Sequence, residues 1–193
     1  MLKKQQATPE PARPPLDLRG WPLGLLTFAL ALALDLWTKS WAWTALRPPA
    51  GRPVIVWEPL LELSFAHNTG AAFGLLRGLD VGGGAFAVMA ALVITYTAVI
   101  VARMPQGGHL RFVALGLIVS GALGNLHDRF VRFDGLGRSG VVDFIKINYP
   151  WGGSWPNFNV ADVALVVGVG LLLLGGYLGA RRAARSGTEG AAS

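Results

Sequence analysis

Four long apolar stretches, separated by polar connections, run along the chain. A helix of about 20 residues crosses the hydrocarbon core of a bilayer, which is about 30 Å thick, because each residue rises about 1.5 Å. We predict four such helices at 21–43, 82–102, 110–126 and 159–179. The pattern therefore predicts an all-α membrane protein with four transmembrane helices.

The connection between the first and second spans predicts structure of its own. It contains four prolines, which prevent it from continuing as a helix. Residues 54–57 and 61–67 predict two short strands, since the second alternates apolar and polar positions. The apolar segment 70–79 predicts a short interfacial helix. A second long connection runs from 128 to 158, so two sizeable loops accompany the helices.

Composition agrees with a membrane protein and excludes several other classes. Of 193 residues, 52% are hydrophobic and only 15% are charged, which is more apolar surface than one soluble core of this size would hide. The chain has no cysteine, which excludes disulfides, thiolate metal sites and a cysteine nucleophile. The net charge of +6 fits either nucleic-acid binding or membrane orientation, and the distribution of basic residues decides between them.

Nine of the seventeen basic residues fall in three segments on one side of a four-span arrangement. They are Lys3, Lys4, Arg13, Arg19, Arg103, Arg111, Arg181, Arg182 and Arg185. The positive-inside rule places that side in the cytoplasm, so both termini are cytoplasmic and the loops 44–81 and 127–158 are external. We therefore expect a membrane domain at 21–180, a disordered tail at 1–20, a second tail at 181–193 and no nucleic-acid partner.

The first apolar stretch has a second interpretation, a cleaved secretory signal peptide. Lys3 and Lys4 precede an alanine-containing apolar segment, as in such peptides. The polar lead is long, however, and the helical pattern continues beyond Asp35. Both features favour a retained membrane span.

Polar side chains lie at a comparable depth on three of the spans. Asp35 is about 14 residues, or roughly 21 Å, from the cytoplasmic start of the first span, and Asn125 is similarly placed on the third. Asp162 lies in the first turn of the fourth span, where the chain re-enters from outside. Asp128 and Asp143 can reach the same layer. Because unpaired charge is costly in a membrane, this outer layer is the candidate functional site.

Two carboxylates in one site suit the hydrolysis of an amide. Their pKa values separate, so that one stays ionised as a general base for water while the other is protonated and donates to the carbonyl oxygen. Asp143 stands between Val142 and Phe144, where desolvation would raise its pKa. Asp162 begins a helix whose N-terminal amides favour its anion. These two residues are the candidate acid and base.

Structural roles remain the alternative for the other carboxylates. Asp35 can pair with Lys39 four residues later, and Asp128 has Arg129 beside it. Ser139, in a glycine-containing loop, is interpreted as a turn residue rather than a nucleophile. The three histidines show no metal-ligand spacing, and two carboxylates suffice to activate water and protonate the leaving amine, so no metal or other cofactor is expected.

Five short blocks carry a resemblance to a known family. They are DLWTK at 35–39, NTGAAF at 68–73, GNLHDR at 124–129, VVDF at 141–144 and FNVAD at 158–162. In this order they resemble the five motifs of bacterial lipoprotein signal peptidase, also called signal peptidase II. The resemblance covers residues 21–179 and adds the expectation that the external strands form a small β-cradle on the membrane surface.

The resemblance implies an aspartyl endopeptidase of the bacterial inner membrane with its active site at the outer face. Its substrate would be a lipid-modified prolipoprotein, cut just before the diacylglyceryl-modified cysteine, and its other contacts would be membrane lipids. A cyclic peptide antibiotic would inhibit it, and we expect a monomer. A small proton-coupled transporter and a scaffold protein are the alternatives, although a transporter usually has repeated halves and charges near the midplane, which the sequence lacks.

The same resemblance assigns roles to individual residues. It makes Asp143 and Asp162 the catalytic pair. The residues that bind substrate or order the site would be Asn68, Asn125, Arg129 and Asn159, and the structural supports would be Asp35, Lys39 and Asp128. The chain departs from the family pattern in its extra tail at 1–20 and in a longer link at 130–140. The longer link leaves the catalytic pair intact but changes the loop beside it.

Overall fold

The computed structural model describes residues 19–70, 83–104 and 108–190. Within these ranges it contains four helices, α1 Trp21–Ala45, α2 Gly83–Arg103, α3 Leu110–Val131 and α4 Val160–Gly190. Each is long and apolar enough to cross a membrane. The predicted four-span fold is therefore confirmed.

Helix α3 is the central helix and packs against α1, α2 and α4. Glycines let the helices approach closely. A β-carbon at Gly121 would lie 2.5 Å from the carbonyl oxygen of Ala161 in α4. A β-carbon at Gly124 would overlap the carboxylate of Asp35 in α1. The close approach at Gly124 brings the polar side chains of α1 and α4 to the same end of the bundle.

Helix α3 is longer than predicted. Its expected end at 126 precedes a charged cluster, but the structure continues the helix to Val131, and the amide of Arg132 donates to the carbonyl of Asp128 at 2.8 Å. The charges do not stop the helix because Asp128 and Arg129 are buried among partners from other elements. The loop predicted at 127–158 thus begins with helical residues.

Three strands form an antiparallel sheet in the order β1-β2-β3. They are β1 Val54–Trp57, β2 Leu61–Asn68 and β3 Val141–Ile147. The first two strands were predicted. Strand β3 was not, because its first four residues are all buried and its sequence lacks the alternation of apolar and polar residues that marks a half-exposed strand.

The sheet is attached to one end of the helical bundle through a small apolar core. Ala42 and Leu46 of α1 pack with Val142 and Phe144 of β3, and all four are buried. In the paired strands Asp143 stands opposite Ala66. The packing against α1 therefore holds β3, and with it Asp143, over the polar ends of the helices.

Two predictions fall outside the part of the chain that the structure describes. The interfacial helix expected at 70–79 lies almost entirely in the range 71–82, and most of the tail expected at 1–20 lies in the range 1–18. Both stay predictions.

Candidate active site

The first turn of α4 forms a reciprocal cap between Asn159 and Asp162. The amide nitrogen of Asp162 donates to Oδ1 of Asn159 at 3.0 Å, and the amide nitrogen of Asn159 donates to Oδ2 of Asp162 at 3.1 Å. This is the capping-box arrangement, in which two helix N-terminal donors are satisfied by side chains. The cap fixes the position of the Asp162 carboxylate at the positive end of the helix dipole.

Asn125 connects α3 to this cap. Its Nδ2 donates to Oδ1 of Asp162 at 2.8 Å, and its Oδ1 accepts from Nδ2 of Asn159 at 3.2 Å. Nζ of Lys39 also donates to Oδ1 of Asn125, at 2.7 Å. Both oxygens of Asp162 therefore accept hydrogen bonds, which hold the carboxylate in one orientation.

Asp35 lies beside the same network. Its Oδ2 is 2.9 Å from Nζ of Lys39, and its Oδ1 accepts from the amide nitrogen of Ala161 at 2.8 Å. Asp35 thus caps α4 from a neighbouring helix while it pairs with Lys39. The structure brings Asp35, Asn125 and Asp162 together, as the depth count predicted.

Asp143 reaches the site from the sheet. Its Oδ1 accepts from Nδ2 of Asn159 at 2.7 Å, and its Oδ2 accepts from Nδ2 of Asn68 at 3.0 Å. Burial, together with the negative charge of Asp162, raises the pKa of Asp143 to about 6 against the lowering effect of these two hydrogen bonds. Asn159 is fully buried and contacts both carboxylates, so it is the bridge between the two aspartates.

Asp128 connects α3 to β3 rather than facing the two aspartates. Its Oδ2 accepts from the amide nitrogen of Val142 at 3.0 Å, and its Oδ1 lies 2.8 Å from Nε of Arg132. The expected neighbour Arg129 is not this ion partner, because adjacent residues on a helix point in different directions. Arg132 also donates from Nη1 to the carbonyl of Lys39 at 2.9 Å.

Arg132 is the residue of this network that sequence reasoning missed. It is buried, with 8% of its surface exposed, and it ties Asp128 to the main chain of α1. The available signal was its spacing of four residues from Asp128, which pairs side chains on a helix. That signal was hidden because the helix was predicted to end at 126.

Arg129 holds the end of β2. Its guanidinium donates from Nη1 to the carbonyl of Thr69 at 3.3 Å and from Nη2 to that of Gly70 at 2.5 Å. The same group lies 3.8 Å from the ring centroid of Phe86 in α2. Arg129 therefore connects three elements around Asn68, which itself accepts from the amide of Gly70 at 3.2 Å.

Comparison with known proteins gives the family. A model of Signal peptidase (SPase) II matches residues 27–178. The chain belongs to the signal peptidase II family. It is 37% identical over 153 residues to the lipoprotein signal peptidase of Oleidesulfovibrio alaskensis, which covers 79% of this chain and 92% of the relative. It is 38% identical over 166 residues to that of Mycobacterium avium, which covers 84% of this chain and 81% of the relative.

A solved structure of a membrane enzyme shares the fold of this chain. A bacterial membrane enzyme determined by the in meso method at 2.3 Å resolution matches with a TM-score of 0.66 and 28% identity, over 82% of this chain and 88% of that chain. The signal peptidase II family is a family of aspartic peptidases, so this chain is an aspartic endopeptidase with several membrane-spanning helices. The transporter alternative has no support.

Ser139 is not placed as a nucleophile in the signal peptidase II site. Its hydroxyl donates to the carbonyl of Arg129 at 2.6 Å, which ties the segment after α3 back to the helix. His67 lies beside Trp43, with ring centroids 5.8 Å apart, and burial lowers the pKa of its imidazole. The polar centre of the site is thus carried by carboxylates and amides.

Proposed function

We propose that this chain removes signal peptides from prolipoproteins by hydrolysing the bond before a diacylglyceryl-modified cysteine, with Asp143 and Asp162 as the catalytic pair. The relatives that bear the name lipoprotein signal peptidase support the activity. The observation that carries the assignment of residues is the bridge through Asn159, which contacts both carboxylates. Two carboxylates joined in this way have the composition of an aspartic peptidase site.

The hydrogen bonds suggest which carboxylate acts as the base and which as the acid. Asp162 accepts two hydrogen bonds, from Nδ2 of Asn125 and from the main-chain amide of Asn159, and lies at the positive end of the α4 dipole, so it takes the role of the base. Asp143, with its raised pKa, takes the role of the acid in its protonated form. Asp162 takes a proton from water as the water oxygen bonds to the carbonyl carbon, while Asp143 donates to the carbonyl oxygen.

The second half of the reaction returns both protons. The tetrahedral carbon re-forms its carbonyl as the carbon–nitrogen bond breaks, and the proton held by Asp162 passes to the leaving amine. Asp143 takes back the proton that it donated to the carbonyl oxygen. The products are a carboxylic acid on the signal peptide and a free amine on the lipidated cysteine, so one water is consumed and the pair is regenerated.

The surrounding residues order this pair. Asn68, Asn125 and Asn159 supply the amide donors, and Arg129 holds the backbone that carries Asn68. The structural supports are Asp35, Lys39 and Asp128. Their buried ion pairs fix α1, α3 and β3 relative to one another.

The proposed placement in the membrane follows from charge and substrate chemistry. The membrane domain 21–180 has cytoplasmic tails at 1–20 and 181–193, with the site at the outer face of the bacterial inner membrane. A diacylglyceryl-modified cysteine keeps its acyl chains in the bilayer, so the scissile bond next to it stays at the interface. We further propose that the protein acts as a monomer and is inhibited by a cyclic peptide antibiotic.

Cleavage of a fluorogenic lipopeptide by purified Asp143→Asn protein tests the proposal. The substitution keeps the shape of the side chain but removes its acid, and we expect turnover to disappear. Asp134→Asn is the matched control, because Asp134 lies in the connection between α3 and β3, where its carboxylate bonds to Leu136 and Arg138. Normal turnover by the Asp143 variant would contradict the proposed pair.

A further inference from the structure

An ordered hairpin connects α3 to β3 and is absent from the mechanism above. It comprises residues 132–140. Phe133 bridges Ser139, the amide of Gly140 donates to the carbonyl of Arg132 at 3.2 Å, and the amide of Asp134 donates to the carbonyl of Arg138 at 3.0 Å. The segment is thus a closed turn of strand-like pairs rather than an irregular link.

The polar groups at the tip of this hairpin satisfy one another. Oδ1 of Asp134 accepts from the amides of Leu136 and Arg138, both at 2.9 Å. Nε of Arg138 lies 2.7 Å from Oδ2 of Asp134. The amide of Gly137 donates to the carbonyl of Asp134 at 3.1 Å. The tip therefore carries a paired, mutually neutralised charge and a largely self-bonded main chain.

The hairpin exposes two large apolar side chains, beside Arg138, whose charge is paired with Asp134. Phe133 is 47% exposed and Leu136, at the tip, is 78% exposed. Just before the hairpin, Phe130 and Val131 are 54% and 55% exposed. We call these four exposed residues, which lie within seven positions of one another along the chain, the apolar edge.

This apolar edge begins in the last turn of α3. Along α3 the exposed positions are His127, Phe130 and Val131, which lie three and four residues apart on one face. The helix has 22 residues and so rises roughly 33 Å, close to the thickness of the hydrocarbon core. Phe130 and Val131 therefore lie at the edge of the hydrocarbon, and the hairpin starts at that level.

The base of the hairpin is fixed to the protein. Arg132 pairs with Asp128 at 2.8 Å and donates to the carbonyl of Lys39 at 2.9 Å, while Ser139 donates to the carbonyl of Arg129 at 2.6 Å. Both ends of the hairpin are thus held, while Phe133 and Leu136 stay exposed. The apolar edge is thus supported by a rigid base.

We propose that the hairpin 132–140 dips into the lipid interface at the end of α3, with Phe130, Val131, Phe133 and Leu136 against the lipids. Backbone groups that enter a water-poor region need internal partners, which this hairpin has. A charged pair that neutralises itself also lowers the cost of approach. The inference needs only the membrane placement of α3, so it stands or falls separately from the proposed cleavage activity.

Contact between the hairpin and lipid would affect the height of the active site above the bilayer. Asp143 follows Gly140 by three residues, and strand β3 begins directly after the hairpin. A hairpin held by lipid would add a second attachment, beside the core formed by Ala42 and Val142, that sets how far β3 stands above the bilayer.

A nitroxide label at the tip tests the proposal. The chain has no cysteine, so Leu136→Cys gives a single labelling site in the full-length protein in lipid nanodiscs. Leu173→Cys, 69% exposed on α4, is the lipid reference, and Arg182→Cys, exposed on the part of α4 beyond the proposed membrane domain 21–180, is the water reference. We expect the label at 136 to be reached by oxygen and protected from a water-soluble nickel chelate, as at 173.

Two results would overturn the proposal. One is a label at 136 that is as open to the nickel chelate as the label at 182, which would place the tip in water. The other is a label at 136 that neither reagent reaches, which would indicate that another protein or protomer covers the tip.

A second labelled variant tests whether the apolar side chain holds the tip in lipid. Gly135→Cys is suitable because a side chain there meets no atom within 4 Å. With this label, adding Leu136→Asp should raise accessibility to the nickel chelate, because a carboxylate resists burial in lipid. Leu136→Met is the matched control that should leave accessibility unchanged. Equal accessibility in the Asp and Met variants would contradict the role of Leu136.

Discussion

Nζ of Lys39 lies 2.7 Å from Oδ1 of Asn125, and this contact fixes which way the Asn125 amide points. With its oxygen toward Lys39 and Asn159, Asn125 turns its Nδ2 toward Asp162 at 2.8 Å. A flipped amide would place its NH2 group against the ammonium of Lys39. A buried lysine thereby secures the hydrogen bond that Asp162 receives.

Lys39→Met should reduce stability strongly. Lys39 is fully buried and lies 2.9 Å from Asp35 and 3.8 Å from Asp128, so its loss leaves two buried carboxylates short of a partner, at a cost of about 3–5 kcal/mol. Unfolding in detergent measures this cost. Lys146→Met is the control, because the partly exposed pair of Lys146 with Glu62 should contribute about 1 kcal/mol or less. Similar losses in both variants would contradict the prediction.

Asn159→Ser and Asn159→Ala should separate helix capping from catalysis. Serine is a good N-cap residue and alanine is not, so the serine variant should be more stable than the alanine variant by about 1 kcal/mol. Neither side chain can donate to Asp143 as the amide does. We therefore expect both variants to lose most of their turnover despite different stabilities, as measured by thermal unfolding and lipopeptide cleavage. Turnover that follows stability would mean that Asn159 acts only as a cap.

Asp162→Asn should abolish turnover while the protein stays folded. The amide keeps an oxygen for the N-terminal cap but cannot serve as a base. Cleavage assays with size-exclusion profiles in detergent check both parts. Ser139→Ala should retain turnover, since its hydroxyl contacts only the carbonyl of Arg129. An aggregated Asp162 variant would favour a structural role, and an inactive Ser139 variant would reopen the serine mechanism.

The stability of the protein should depend on pH through Asp143. Its pKa is raised from 3.8 to about 6, so the folded state binds the proton more tightly than the unfolded chain does. Stability therefore falls as the pH rises from about 4 to about 6, and above that range the penalty is about 3 kcal/mol at 1.4 kcal/mol per pKa unit. Relative to the parent chain, Asp143→Asn should gain stability between pH 4 and pH 7.

Asp134→Asn provides the control for this pH dependence. Hydrogen bonds from the main chain of Arg138 and from its side chain lower the pKa of Asp134 to about 2. A lowered pKa contributes stability that is lost only as the pH falls from about 4 toward 2. The difference in stability between the Asp134→Asn variant and the parent chain should thus be constant between pH 4 and pH 7. A flat profile for Asp143→Asn as well would contradict the raised pKa.

Much of the site was predictable because helices have a fixed rise per residue. Counting along three apolar spans placed Asp35, Asn125 and Asp162 in one layer, and the structure joins them through hydrogen bonds. The i to i+4 spacing similarly predicted the pair of Asp35 with Lys39, which lies at 2.9 Å. Periodicity and rise are local properties, so the sequence determined them without knowledge of the fold.

Only the tertiary structure decided how Asp143 reaches this layer. Strand β3 has buried residues on both faces, so its sequence lacks the alternation that would have predicted a strand. Its place depends on pairing with β2, more than 70 residues earlier, and on packing against α1. The continuation of α3 to Val131, which sets Arg132 within reach of Asp128, likewise depended on burial against other elements. Such contacts depend on which surfaces meet, which no local pattern in the sequence specifies.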